Sequence, residues 1–226
     1  MDLSPKAASL DGFESKSPEL SLSAWNYSAA KRVFDLLLST LLLLLTSPAW
    51  LFVALAIKAS SSGSVFFRQA RVGRDGVEFC LLKFRTMRVA GTQAGPGLTR
   101  KGDVRVTPVG RILRKWKLDE LPQLINVLRG DMSIVGPRPD LEEYMRSLPA
   151  SQKAILKLRP GVTGTASLRF RYEEDVLAKV PADQLQQLYV SELLPEKVEL
   201  DLEYARRATF LTDLGLVLRT VSGVLS

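Results

Sequence analysis

Histidine is absent from this chain of 226 residues, and cysteine occurs once, as Cys80. These shortages remove whole mechanisms. Neither a Ser-His-Asp nor a Cys-His site can be assembled, and a structural zinc site lacks the imidazoles or thiolates it needs. No intramolecular disulfide can form. Cys80 lies in the apolar run from Val77 to Phe84 with no base beside it, so a small buried core position is expected rather than a nucleophile. Nucleotide signatures built on spaced glycines are missing too, because the stretch from Gly91 to Gly102 is a polar, Gly-rich loop that matches neither the phosphate-loop nor the dinucleotide pattern. Any acid, base or nucleophilic chemistry must then rest on carboxylates.

What is present is unevenly spread. Hydrophobic residues make up 46% of the chain and charged ones 24%, with a formal net charge of +7. That excess calls for an anionic partner, for which nucleic acid, an anionic membrane surface and a phosphorylated substrate are the candidates. The length suits one catalytic domain with some chain left for an anchor. Residues 1 to about 24 are rich in Ser, Pro and acidic residues without a period, which reads as a mobile tail.

From Leu36 to Ile57 the run LLLSTLLLLLTSPAWLFVALAI carries no charge. About 22 residues at 1.5 Å each give roughly 33 Å, enough to cross a bilayer core. Ser47 and Pro48 fall near its centre, where proline removes a backbone hydrogen bond and leaves two arms each about one leaflet deep. Positive residues flank both ends, Lys31 and Arg32 before and Lys58, Arg68, Arg71 and Arg74 after, so both ends suit the cytoplasmic side. A re-entrant path and a spanning one are both open on these grounds.

Beyond Gly63, VFFRQARVG and VEFCLLKFRTM are β-prone segments around the turn Arg74-Asp75-Gly76, a hairpin pattern. TPVGRILRKWK follows as a basic amphipathic helix, in which Arg111, Arg114, Lys115 and Lys117 interleave with Ile112, Leu113 and Trp116, suited to anionic headgroups. In DELPQLINVLRG, Leu121, Leu124, Ile125 and Leu128 recur at helical spacing and Gly130 ends the run. The final run, FLTDLGLVLRTVSGVL, is amphipathic and fits either core packing or a second membrane contact.

Asp119 and Glu120 stand at the start of the DELPQL helix, with Pro122 in its first turn, so Asp119 fits an N-cap or first-turn position. A helix N-terminus holds a carboxylate ionised and attracts phosphate, and an ionised carboxylate is what attack on phosphorus requires. Lys83 and Arg85 in LKFRTM, Arg138 in VGPRP, Arg159 in RPG and Arg171 in RFR sit in short Pro- or Gly-bearing contexts that favour a preset fork of donors toward phosphate oxygens.

Taken together, KRVFDLLL, the Ser-Pro inside the apolar run, FFRQARVGRDG, LKFRTM, GRILRKWKLDELPQLINVLRGDMSIVGPRP and RPGVTG resemble the bacterial sugar transferase family, the monotopic polyprenyl-phosphate phosphoglycosyl transferases. The resemblance covers about residues 29 to 222. It implies an α/β fold, mostly helical with a small β-hairpin or sheet, on a re-entrant membrane helix broken at Ser47-Pro48 and assisted by amphipathic interfacial helices. Residues 1–28 would be a mobile tail, 29–60 the re-entrant helix and 61–226 a catalytic domain on the cytoplasmic face of the bacterial inner membrane.

It further implies a ping-pong reaction in which Asp119 attacks the sugar-linked phosphorus of a UDP-sugar, expels UMP and holds a phosphosugar that polyprenyl (undecaprenyl) phosphate then takes, an early step in glycoconjugate or exopolysaccharide assembly. Glu120 matches the family's magnesium-associated residue, and Mg2+ with Lys83, Arg85, Arg138 and Arg171 would hold the phosphates. The chain departs from the family after PGVTG: Thr165-Ala166-Ser167 and Arg169-Phe170-Arg171 replace the usual Trp-Ala-Gln and Asn-Gly-Arg, so the match of Arg171 rests on spacing and Arg169 is the alternative. Expected partners are the UDP-sugar, polyprenyl phosphate and membrane lipid, with a homodimer left open.

Two other classes compete. A membrane-tethered nucleic-acid-binding protein could draw two short basic helices from GRILRKWKLDELPQLINVLRG, but the segment has no run of stacking aromatics and adjoins the membrane segment, so no nucleic acid is expected. In a non-catalytic membrane scaffold, Asp119 would merely cap a helix.

Overall fold

Ser28 starts the longest helix by accepting the Lys31 N–H on its side chain at 3.0 Å. In the computed structural model, which describes residues 21–88 and 98–225, this helix is α1, Ala29–Ser60, 32 residues with Pro48 inside it, so the break expected at Ser47-Pro48 is corrected: the helix continues through that point. At 1.5 Å per residue it is roughly 48 Å long. An 18-residue stretch within it has a mean hydropathy of 2.2, and the helix is long and apolar enough to cross a membrane. Pro48 cannot donate to the Leu44 carbonyl, but the Ser47 hydroxyl does so at 3.1 Å, which keeps that carbonyl from being orphaned.

Both ends of α1 are fastened to the rest of the chain. Near the start, Lys31 forms a buried ion pair with Asp213 and donates to the Val135 carbonyl at 3.1 Å, while Asp35 accepts from the Ile134 N–H at 2.9 Å. Arg32 donates to the Val127 carbonyl at 2.7 Å, at the negative end of a helix. Lys31 and Arg32, read as charged flanks, thus face protein. Leu38, Leu42 and Leu43 pack on one core cluster and Trp50 and Val53 on another that contains the buried Ile57. The opposite face exposes Leu37, Leu41, Leu44, Leu45, Leu51, Phe52 and Leu55.

The expected hairpin is present. β1, Phe66–Val72, pairs antiparallel with β2, Glu78–Phe84, in the register Phe66↔Phe84 and Val72↔Glu78. Arg74–Gly76 make the turn, with Asp75 and Gly76 at positive φ. Cys80 is exposed rather than buried, correcting the sequence expectation: it shares a strand face with Leu82 and Phe84, and only their end of that face is covered. The Gly91–Gly102 loop lies outside the described residues up to position 97.

Thr107 caps α2, Pro108–Lys115, by accepting the Gly110 N–H at 2.9 Å. After a tight turn comes α3, Gln123–Arg129, ended by Gly130 at φ 93°. Its buried side is Gln123, Leu124, Asn126 and Val127, whereas Leu128 is exposed, so the leucine spacing located the helix but not its inner face. Asn126 accepts the Leu82 N–H at 3.1 Å and donates to the Cys80 carbonyl at 2.8 Å, standing in for a strand beside β2.

β3, Ser133–Val135, and β4, Gly161–Thr163, form a short parallel pair separated by α4, Glu142–Arg146, and a 3-10 segment, Ala150–Lys157. The loop after β3 lies directly on β4: a Cβ at Gly161 would come within 2.1 Å of the Gly136 nitrogen, so only glycine permits the approach. α5, Thr165–Arg169, α6, Glu173–Leu177, and α7, Leu185–Leu188, lead through a π-helical turn into α8, Leu194–Arg207, and then α9, Phe210–Leu225. The largest core cluster lies under α8 and holds Tyr144, Leu148, Tyr189, Val198 and Leu202. α9 packs on the core through Leu216, as one of its two readings expected, and leaves Leu211, Leu218 and Val221 exposed. The tail expected over residues 1–28 lies outside the described residues as far as position 20; beyond it, Ala24–Tyr27 form a 3-10 turn, with Asn26 donating to the Ala205 carbonyl at 2.7 Å.

Candidate active site

Lys117 adopts a left-handed backbone, φ 53°, which turns the chain sharply after α2. Asp119 and Glu120 follow in a one-turn 3-10 helix, Leu118–Glu120. The structure therefore corrects the N-cap expectation: α3 begins after Pro122, and Asp119 caps nothing. Both carboxylates are nonetheless buried, at 7% and 9% exposure.

Glu120 is the hub. Its Oε1 accepts from Lys83 Nζ at 2.9 Å and from Arg138 Nη2 at 3.1 Å. β2 supplies the lysine, the loop after β3 the arginine and the turn after α2 the acids, so three separate segments converge here. Burial pushes the Glu120 carboxyl up, but Lys83, Arg138 and Lys117 outweigh it and hold the group well below the usual range. Lys83 is lowered by burial against the pull of Glu120, and Arg138 is raised, chiefly by Glu120.

Asp119 behaves oppositely. Burial first, then the adjoining Glu120, push its pKa up, against Lys83, Arg114 and Lys117. Its Oδ1 is buried without a hydrogen-bond partner. The expectation that a helix N-terminus holds this carboxylate ionised is thus replaced by a desolvated, incompletely bonded oxygen beside a cluster of cations. Such an atom costs stability, which is tolerated where a ligand is to meet it. Lys83, Lys117 and Arg138 outnumber the two acids, and Arg114 adds a charge it shares with Glu174 at 2.9 Å. The site therefore suits an anion.

Of the residues expected at the phosphates, Lys83 and Arg138 are brought together. Arg85 lies just past the end of β2, where strand alternation no longer keeps it beside Lys83, and its Nη2 donates to the Ser61 carbonyl at 2.7 Å, bracing the end of α1. Arg171 donates to the Gly223 carbonyl in α9, away from Glu120. Ser47 and Pro48 sit on the exposed middle of α1. Sequence reading missed Lys117 and Arg114 as members of the site, having assigned them to a membrane-facing stripe; their nearness to the Asp-Glu pair was the available signal.

It also missed Asp201. This α8 residue, 3% exposed, accepts the Ala166 N–H at 2.9 Å and the backbone N–H of Arg138, and so holds the arginine's loop from behind. On the other side of that loop Asp140 accepts from Arg71 at 3.0 Å and from the Tyr189 hydroxyl. Burial pushes Asp201 up to about 7 from an ordinary 3.8. A folded chain that keeps a proton the unfolded chain releases loses stability as pH rises between those values. Melting temperature should fall across that window, and Asp201→Asn should flatten the decline.

Residues 26–226 match the family model described as bacterial sugar transferase. The chain is 43% identical over 195 residues to a UDP-glucose:undecaprenyl-phosphate glucose-1-phosphate transferase of Escherichia coli (strain K12), covering 84% of this chain and 39% of that protein. A protein of the same description from Caulobacter vibrioides is 40% identical over 200 residues, 87% of this chain and 70% of its own length. The exopolysaccharide production protein ExoY of Rhizobium meliloti (strain 1021) is 36% identical over 210 residues, 86% of this chain and 85% of its own. The chain thus spans well under half of the Escherichia coli relative and most of the other two. With the Asp-Glu pair, its clamping cations and the apolar helix in one arrangement, the chain belongs to the bacterial sugar transferase family.

Proposed function

We propose that this chain transfers a sugar phosphate from a UDP-sugar to polyprenyl phosphate at the bacterial inner membrane, through a covalent phosphosugar on Asp119. The observation that carries this is the unbonded, buried Asp119 Oδ1 beside a Glu120 engaged by Lys83 and Arg138. An oxygen with no hydrogen bond to give up is free to act as nucleophile, and the fixed cations neutralise the diphosphate it approaches.

In the first step an Asp119 oxygen bonds to the sugar-linked phosphorus while the bond from that phosphorus to the UMP oxygen breaks. In the second, a phosphate oxygen of the polyprenyl phosphate bonds to the same phosphorus and Asp119 leaves, giving a polyprenyl diphosphate sugar. Lys83 and Arg138, fixed on Glu120, need little reordering to meet phosphate oxygens. No group of three or more His, Cys, Asp or Glu side chains is poised for a metal among the described residues. Asp119 and Glu120 still fit Mg2+, an ion held through one or two carboxylates plus substrate phosphates, and it would neutralise charge at the phosphates. The names of the relatives support the donor and acceptor classes.

The test separates the half-reactions. With a UDP-sugar, Mg2+ and no acceptor, purified protein should release about one equivalent of UMP, as a ping-pong scheme requires, and Asp119 should gain the mass of the phosphosugar. Release only when undecaprenyl phosphate is present would defeat the covalent route.

The same reading makes α1 re-entrant in the membrane, bending at Pro48 within a continuous helix, with its ends on the cytoplasmic side. Its start is tied to β3 and α9 and its end to Arg85 and the Ile57 cluster, so the catalytic body grips both ends. A helix crossing the bilayer outright would have to release one of them. Pro48→Ala restores the backbone donor to the Leu44 carbonyl, now served by the Ser47 hydroxyl, and favours spanning; an N-terminal topology reporter should shift toward the periplasm, and a reporter that stays cytoplasmic refutes the role given to Pro48.

A further inference from the structure

Away from Glu120, an open groove of about 580 Å³ runs between α5 and α9. Arg169, Arg171 and Arg219 line it together with Leu168, Leu216 and Ser222, and no carboxylate does. Three cations share this wall without a neutralising side chain. Arg171 lies close to α9: a Cβ at Gly223 would come within 2.6 Å of its Nη1, at the flexible end of the arginine side chain.

The groove adjoins the apolar surface. α9 meets α1 where Phe34 and Phe210 pack edge to face at 5.4 Å, and its Leu216 packs in the cluster that receives Leu38, Leu42 and Leu43. From there α9 exposes Leu211, Leu218 and Val221, and α1 exposes leucines of its own. Apolar side chains next to a cationic cleft with a hydroxyl match the junction of a lipid: tail on one side, phosphate on the other.

We propose that this groove binds the phosphate of a membrane lipid through Arg169, Arg171 and Arg219. The inference rests on the membrane reading of α1 but not on the chemistry of Asp119. Two lipids offer that phosphate, the polyprenyl phosphate acceptor and an anionic phospholipid. The polyprenyl source would make the groove a docking point for the acceptor, and the phospholipid source would make it a seat that fixes the depth of α9.

Arg219→Glu reverses one charge in the groove without touching the Glu120 cluster. The full-length variant, with thermal melting as a check on folding, is compared with wild type in two arms. The first measures binding to phosphatidylcholine vesicles with and without phosphatidylglycerol; the second measures the acceptor KM with undecaprenyl phosphate in detergent free of phospholipid. A loss of phosphatidylglycerol preference on the order of tenfold, with KM unchanged, assigns the groove to phospholipid. A KM raised on the order of tenfold at unchanged kcat assigns it to the acceptor, and Arg219→Lys should recover either property. Both properties unchanged in a folded variant, or a loss that lysine does not recover, overturns the proposal. Absence of UMP release by the wild-type protein would instead strike at the catalytic reading, and leaves the vesicle arm intact.

Discussion

Asp119→Asn should eliminate turnover, by on the order of 10⁴-fold or more, while leaving the fold as stable as before or more so. The two halves of that result come from one observation. Asp119 Oδ1 makes no hydrogen bond, so the asparagine gives up none there, and the desolvated charge that burial and Glu120 disfavour is removed. A helix cap would behave in the opposite way, losing stability when its acceptor is weakened. UMP release and a melting curve on the same preparation distinguish them, and a destabilised variant that retains turnover would contradict the assignment. The raised pKa of Asp119 adds a pH signature. Attack requires the ionised form, so as pH falls the rate of UMP release should drop at values above those of an ordinary aspartate. A profile that stays flat down to the usual carboxylate range would argue for a different nucleophile.

Glu120→Gln should damage both properties. The carboxylate is the shared partner of Lys83 at 2.9 Å and Arg138 at 3.1 Å, and its loss leaves two cations facing each other with no anion between them. Removing one member of a buried ionic set costs about 3 kcal/mol here, the low end of the usual span because the Arg138 side chain keeps 40% of its exposure. The melting temperature should fall. Turnover should fall too, on the order of 10²- to 10³-fold, because the donors lose the geometry that lets them meet phosphate without reorganising. A double substitution with Lys83→Met tests the coupling: if Glu120 acts through the lysine, the two losses will not add. Full additivity would mean that the lysine and the glutamate serve separate ends.

Much of the candidate site was legible because its motifs are short and continuous. The Asp-Glu pair could be read from one dozen residues, as could the rigid arginine of VGPRP and the lysine of LKFRTM. The hairpin followed from β-prone segments around Arg74-Asp75-Gly76, and the anchor from an uncharged run with a Ser-Pro at its centre. These are local signals, set by backbone sterics and side-chain polarity within a turn or a strand.

Convergence was not legible. Arg85 and Lys83 are two residues apart, yet one holds the end of α1 and the other Glu120, because the strand ends between them. Arg171 was expected beside Lys83 and Arg138 and lies instead against α9, away from Glu120. Lys31 and Arg32, legible only as positive flanks of the apolar run, fasten α1 to Asp213 and to the end of α3. Cys80 looked buried, since apolar neighbours do not say how far along a strand its face is covered.

The sequence by itself narrowed the chemistry open to this chain: with no histidine and a single cysteine, imidazole-based sites are excluded, and an uncharged run of leucines is long and apolar enough to cross a membrane. Tertiary structure decided which carboxyl is held low and which is raised. Asp119 and Glu120 are adjacent in the chain and equally buried in kind, but only Glu120 is reached by Lys83 and Arg138, from segments 37 and 18 residues away. Desolvation acts on both, and the long-range ion pairs offset it for one alone.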